Sequence, residues 1–202
     1  MGAGKGWVMN WMSQREILPL RRIVHVDPDR FKQLMPEWVG YARRAADRAG
    51  TLCHRESGTL AELAQELAMD QRVHVWVDGS LRDFDWYARK IENLRLRYPH
   101  YRVALFYVDA DEAVVRRRVT ARAARFGERD VPEEVLAASL AAPPNTLRAL
   151  TPHVDFIARI RNDDDPTGGP NAAPTLEALE TVDTSGDWLC GNQIFNPTSM
   201  CA

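Results

Sequence analysis

The residues Gly2-Ala3-Gly4-Lys5-Gly6 could close around a phosphate. Glycines let successive backbone N–H groups converge on phosphate oxygens. A lysine reaches the β- and γ-phosphates of a nucleoside triphosphate, and a helix starting there favours negative charge at its N-terminus. The run from Trp7 to Met12 reads as that helix. Two parts of the full pattern G-x-x-x-x-G-K-[ST] are not met. Its first glycine would fall before Met1, and Gly6 occupies the Ser/Thr position, so no hydroxyl is offered there to magnesium. Taken alone, the segment also suits a frayed glycine-rich terminus.

Three polar clusters could join it: Asp27-Pro28-Asp29, Asp78-Gly79-Ser80-Leu81-Arg82-Asp83 and Asp109-Ala110-Asp111. Each follows a short apolar run, at Ile23–Val26, Val73–Val77 and Val103–Val108, and a fourth run lies at Phe156–Ile160. Between the runs, Leu60, Leu63, Ala64 and Leu67 recur at helical spacing, which puts Glu62 on the polar side of a helix whose opposite face is Leu60, Leu63 and Leu67. Val114, Val115 and Val119 recur in the same way on a more basic segment. The alternation predicts an α/β fold with a parallel sheet covered by helices. In such sheets the ligand crevice lies outside the carboxyl ends of the strands, where the three clusters fall. A single aspartate at such a place can equally be a helix cap or turn residue, and Asp111 is expected to be only that.

Arg116, Arg117, Arg118, Arg122, Arg125 and Arg129 crowd one segment. If it is helical throughout, Arg118, Arg122, Arg125 and Arg129 form one stripe able to close over a phosphate, because the planar guanidinium binds phosphate bidentately and stays charged. Arg116 and Arg117 read as a solvated face. Gly127 is expected to interrupt the helix, leaving Arg129 to act from a loop. The histidines His25, His54, His74, His100 and His153 are not spaced as metal ligands; His25 and His74 alternate with apolar strand residues, which predicts satisfied structural roles. Trp38, Trp76 and Trp86 are expected in the core or at its rim.

A chain of 202 residues with 45% hydrophobic content can bury one substantial core. Its net charge of -2 gives no whole-chain argument for nucleic acid or a membrane. No long apolar run or signal-peptide pattern is present, so the expected compartment is the cytoplasm. Cys53, Cys190 and Cys201, odd in number and without metal spacing, read as reduced thiols. Residues 1–162 are expected to form the folded domain and 163–202 a linker and irregular C-terminal tail, in which Leu176, Leu179 and Val182 could make one small helix.

Five segments occur in order: Gly-Ala-Gly-Lys-Gly; Val-His-Val-Asp-Pro-Asp-Arg-Phe-Lys with Met-Pro-Glu-Trp behind it; His54-Arg55-Glu56-Ser57; Val-Asp-Gly-Ser-Leu-Arg-Asp; and an arginine-rich helix before Val131-Pro132-Glu133-Glu134. Together they resemble the zeta toxin family of P-loop kinases, from Gly2 to about Asn162. The resemblance implies a P-loop kinase-like parallel sheet flanked by helices. Its first strand, which precedes the loop, is expected to be missing here and to leave two half-sheets. It also implies transfer of the γ-phosphoryl of ATP, with Mg2+, to a sugar hydroxyl, in the bacterial toxins the 3′-hydroxyl of the sugar in UDP-N-acetylglucosamine. By the same resemblance Gly2, Ala3, Gly4, Lys5, Gly6 and Arg129 bind ATP, Asp29 is the general base, and Arg118 and Arg122 act on the transferring phosphoryl. His54, Ser57, Glu62 and Arg82 fall to the substrate, and Asp78 and Ser80 to the metal or its waters. The implied partners are ATP and a nucleotide sugar, with no nucleic acid and no membrane; an antitoxin-like partner is left open. Two other classes stand beside this one. The first is a non-catalytic nucleotide-binding remnant, and the second a nucleic-acid 5′-hydroxyl kinase, against which the mildly acidic chain argues.

Overall fold

The computed structural model describes residues 2–45, 48–126, 133–163 and 173–181. In chain order its elements are α1 (Lys5–Gln14), β1 (Ile23–Val26), α2 (Pro28–Leu34), α3 (Trp38–Arg44), α4 (Ala49–Leu52), α5 (His54–Asp70), β2 (His74–Val77), α6 (Phe84–Arg97), β3 (Ala104–Asp109), α7 (Glu112–Phe126), α8 (Glu133–Leu150), β4 (Phe156–Arg161) and β5 (Thr175–Thr181). They divide into two compact units, one holding the described residues of 1–18, 80–125 and 130–202, the other those of 19–79 and 126–129. The strands correspondingly form two sheets, β1-β2 and β3-β4-β5. The four apolar runs of the sequence are all strands, and the alternation with helices is the expected α/β arrangement.

In the smaller unit β1 and β2 run parallel, with Ile23 opposite His74 and Val26 opposite Val77. Asp27 ends β1 and starts α2: its carboxylate accepts the Asp29 N–H at 2.9 Å, and Pro28 supplies a preset first helical φ. Helix α5 packs against both strands and against α2. Its packing face differs from the expected one. Leu60, Leu63 and Leu67 are 42%, 52% and 58% exposed, whereas Ser57, Ala61, Ala68 and Met69 are buried. Both stripes have helical spacing, and the small-residue stripe lets the helix approach its neighbours more closely than the leucines could.

In the larger unit β3 runs parallel to β4, from Ala104 opposite Phe156 to Asp109 opposite Arg161. Strand β4 is the centre of its sheet, and Phe156, Ile157 and Ala158 are fully buried. One apolar cluster joins Leu147, Val154 and Ile157 with Ile91, Val103, Leu105 and Tyr107; another joins Ala110, Val114, Val115, Val119 and Leu136 with Leu140. Helix α8 carries Pro143 and Pro144 within it, each removing a backbone donor. The small helix expected around Leu176 and Leu179 is instead β5, antiparallel to β4. Both residues lie in that strand, and Val182 lies outside the described residues. The second edge of β4 explains the difference. Its backbone groups are satisfied by a neighbouring strand, and Arg159 fixes Glu180 across the pair at 3.2 Å. The sheet therefore continues past Asn162, where the domain was expected to end.

Candidate functional site

The glycine segment is a loop opening α1, the helix expected from Trp7 to Met12. Gly2 and Gly4 have φ of 75° and 81°, the left-handed region in which a side chain is strained. A Cβ on Gly2 would come within 2.8 Å of Val115 on α7, and one on Gly4 would overlap the Asn162 side chain. Gly4 caps α1 and its carbonyl accepts the Val8 N–H at 3.0 Å; Lys5 is the first helical residue. The amides of this first turn have no acceptor within the helix, and the helix dipole points positive there. At Gly6 a Cβ meets no neighbouring described atom within 4 Å.

Asn162 fastens the loop, a role that sequence reasoning missed. Its side-chain amide donates to the Ala3 carbonyl at 2.7 Å, its backbone N–H donates to Asp109 O at 2.8 Å, and its own carbonyl accepts from Arg118 Nη1 at 2.9 Å. The available signal was position: a buried asparagine directly after an apolar strand run, at the carboxyl end of the sheet.

The arginine stripe is only partly described. Arg118 and Arg122 lie on α7, Arg118 half-buried against Asn162 and Arg122 exposed, while Arg129 and Gly127 lie outside the described residues. Arg116 is bound by Glu112 at 2.6 Å and Glu133 at 2.5 Å. Ser80 accepts from Arg82 Nε at 3.3 Å, and Arg82 also reaches Ser139 at 3.4 Å. Leu81 between them has φ 52°, a strained setting for a non-glycine residue.

The third acidic cluster serves another purpose. Arg161 holds Asp111 at 2.6 Å, Asp163 at 2.6 Å and Asp109 at 3.6 Å, so Asp111 does more than precede a helix. Burial pushes the Asp163 carboxyl up, but the Asp111 N–H and the Arg161 guanidinium outweigh it and hold it below the usual carboxylate range. A depressed folded pKa adds stability that is complete above the unfolded value, ~3.9, and is lost as pH falls through the folded one. The melting temperature is therefore expected to fall on acidification below about pH 4. Asp163→Asn should flatten that limb of a thermal-melt series, and an unchanged limb would dismiss this carboxylate.

In the smaller unit Asp29 stands in the first turn of α2, and Lys32 Nζ donates to its Oδ1 at 2.8 Å. Asp78 follows β2, and its N–H donates to Val26 O at 2.9 Å, extending the ladder by one residue. His54 and Glu62 are exposed on α5, where an open depression is lined by Arg55, Glu56, Thr59 and Leu60. Ser57 is fully buried and donates to His54 O at 3.0 Å, so its hydroxyl is engaged inside the helix. His25 departs from the expectation of a satisfied structural role: Nε2 is buried with no hydrogen-bond partner among the described residues. Its ring stacks on Trp76 at 3.8 Å. Cys53 is a buried free thiol, and no helix among the described residues is long and apolar enough to cross a membrane.

A glycine loop at the start of a helix, within an α/β fold whose β1–β2 and β3–β4 pairs are parallel, is consistent with the P-loop kinase-like phosphotransferases, a class that generally uses ATP and Mg2+. The zeta toxin family model matches residues 1–166, and the chain belongs to that family. No curated protein and no solved structure matches it.

Proposed function

We propose that this chain transfers the γ-phosphoryl group of ATP to a hydroxyl of a nucleotide sugar, by resemblance the 3′-hydroxyl of the sugar in UDP-N-acetylglucosamine. The observation that carries the reading is the loop of Gly2 to Gly4, held left-handed at both glycines and fastened by Asn162, with Lys5 opening α1. In this reading the amides of the first turn and Lys5 hold the β- and γ-phosphates, and Arg118, Arg122 and Arg129 neutralise charge on the phosphoryl group in flight. Asp29 takes the proton of the acceptor hydroxyl as its oxygen bonds to the γ-phosphorus and ADP departs. His54, Glu62 and Arg82 hold the acceptor, while buried Ser57 sets the start of α5.

The residues suit a hard cation in part. Asp78 at the end of β2 offers a carboxylate and Ser80 a hydroxyl, while Gly6 offers nothing. Magnesium, when bound with ATP, supplies charge neutralisation between the β- and γ-phosphates.

Calorimetry of Mg-ATP binding tests the reading. Lys5→Ala is expected to weaken affinity about 10- to 100-fold, the value of one charge-assisted contact of ~1.5–3 kcal/mol. Gly6→Ser, for which there is room, is expected to strengthen it by restoring the hydroxyl. An affinity untouched by Lys5→Ala removes the reading. A second reading, a non-catalytic nucleotide binder, is favoured by Gly6; it predicts ATP binding with no phosphoryl gained by any nucleotide sugar.

A further inference from the structure

We infer that His25, Asp27 and Asp78 form a binding site for a divalent transition-metal ion, one of the manganese or zinc class in preference to magnesium. The site lies within the smaller unit and needs neither ATP nor the glycine loop; it shares Asp78 with the phosphoryl-transfer reading, and His25 and Asp27 are its own.

The strand register brings the three together. His25 lies opposite Trp76 and Val26 opposite Val77, and the Asp78 N–H continues the ladder to Val26 O. Side chains two residues apart share a face of a sheet, so His25 and Asp27 of one strand share theirs with Trp76 and Asp78 of the other. One ring nitrogen of His25 and one carboxylate oxygen from each aspartate lie within 4.8 Å of one another. A cation ~2.1 Å from each donor needs donors about 3–4 Å apart, a gap that carboxylate rotation closes.

A second observation points to a ligand. The imidazole is held flat against Trp76, with an interplanar angle of 8°, and its buried Nε2 has no hydrogen-bond partner among the described residues. An Nε2 so placed gains no hydrogen bond from the described residues, and metal ligation is a chemistry open to it. Asp27 is oriented as well: its Oδ1 takes the Asp29 N–H at 2.9 Å, which aims the other oxygen. One imidazole with two carboxylates suits Mn2+, Fe2+, Co2+ or Zn2+, because imidazole favours these ions while Mg2+ takes oxygen ligands and keeps its waters.

The test is titration of the full, metal-free chain with MnCl2 in the absence of nucleotide, following free Mn2+ by electron paramagnetic resonance. The expected result is one Mn2+ per chain, displaced by Zn2+ and only by much higher Mg2+, with a nitrogen coupling in the pulsed spectrum. His25→Gln should abolish the coupling and weaken binding at least tenfold, as should Asp78→Asn. Asp27→Asn guards against misfolding, since asparagine caps a helix as well as aspartate. It should weaken Mn2+ at least tenfold with the metal-free melting temperature unchanged. Absence of bound Mn2+, a missing nitrogen coupling, or an affinity unaltered by His25→Gln overturns the site. Loss of ATP binding in Lys5→Ala with Mn2+ binding intact separates failure of the kinase reading from failure of this one.

Discussion

Asp29→Asn is expected to lower phosphoryl transfer by about 10²–10⁴-fold, the range of a lost general base, while Mg-ATP affinity is retained. The substitution is conservative in every respect but one. Asparagine has the shape of aspartate, can still accept the hydrogen bond that Lys32 Nζ donates to Oδ1 at 2.8 Å, and still suits the first turn of α2. What it lacks is a basic oxygen to receive a proton from the acceptor. The carboxylate is 83% exposed, so it is open to an incoming hydroxyl and no packing is lost with it. Single-turnover transfer from γ-labelled ATP to the proposed acceptor, UDP-N-acetylglucosamine, reads the effect. Turnover undiminished in the variant would strip Asp29 of the role and leave the base to another carboxylate.

Gly4→Val should reduce Mg-ATP affinity by roughly two orders of magnitude, equivalent to ~3 kcal/mol. Two causes add. A β-branched residue at φ 81° carries backbone strain of ~1–3 kcal/mol, and its Cβ would occupy the place of the Asn162 amide that holds Ala3. The loop can relieve both only by leaving its seat on α7 and Asn162, which scatters the amides proposed to converge on phosphate. Gly6→Ala is the control, since that position has open space and ordinary φ. Wild-type affinity in Gly4→Val would show that phosphate is bound elsewhere.

The strands were legible because each is a short run rich in branched and aromatic residues that ends abruptly in a polar residue: Ile23–Val26 before Asp27, and Phe156–Ile160 before Arg161 and Asn162. Helix α5 was legible as a helix and misread in facing. Leucine spacing and alanine spacing both fit a helix, and the choice between them depends on how close β1 and β2 allow it to come. Strand β5 was illegible for a related reason, since seven residues acquire strand character from the edge of β4 and not from their own pattern. At the candidate site the glycine loop opening α1 follows from residue type and spacing, whereas the role proposed for Asp29 rests on the family resemblance. The fastening role of Asn162 and the nearness of His25 to Asp78 depend on contacts between segments far apart in sequence, where periodicity carries no information.

The hydrogen bond from Asn162 to Ala3 joins residues 159 positions apart. Closing so long a stretch of chain costs conformational entropy before the contact gives anything back, so the contact belongs late on the folding route, after β3, β4 and their helices have condensed. A bond formed after the folding barrier leaves the rate of folding unaltered and acts on the reverse step. A phosphate-bearing ligand seated on this loop therefore lengthens the lifetime of the folded chain by slowing its unfolding, and does nothing to hasten its assembly.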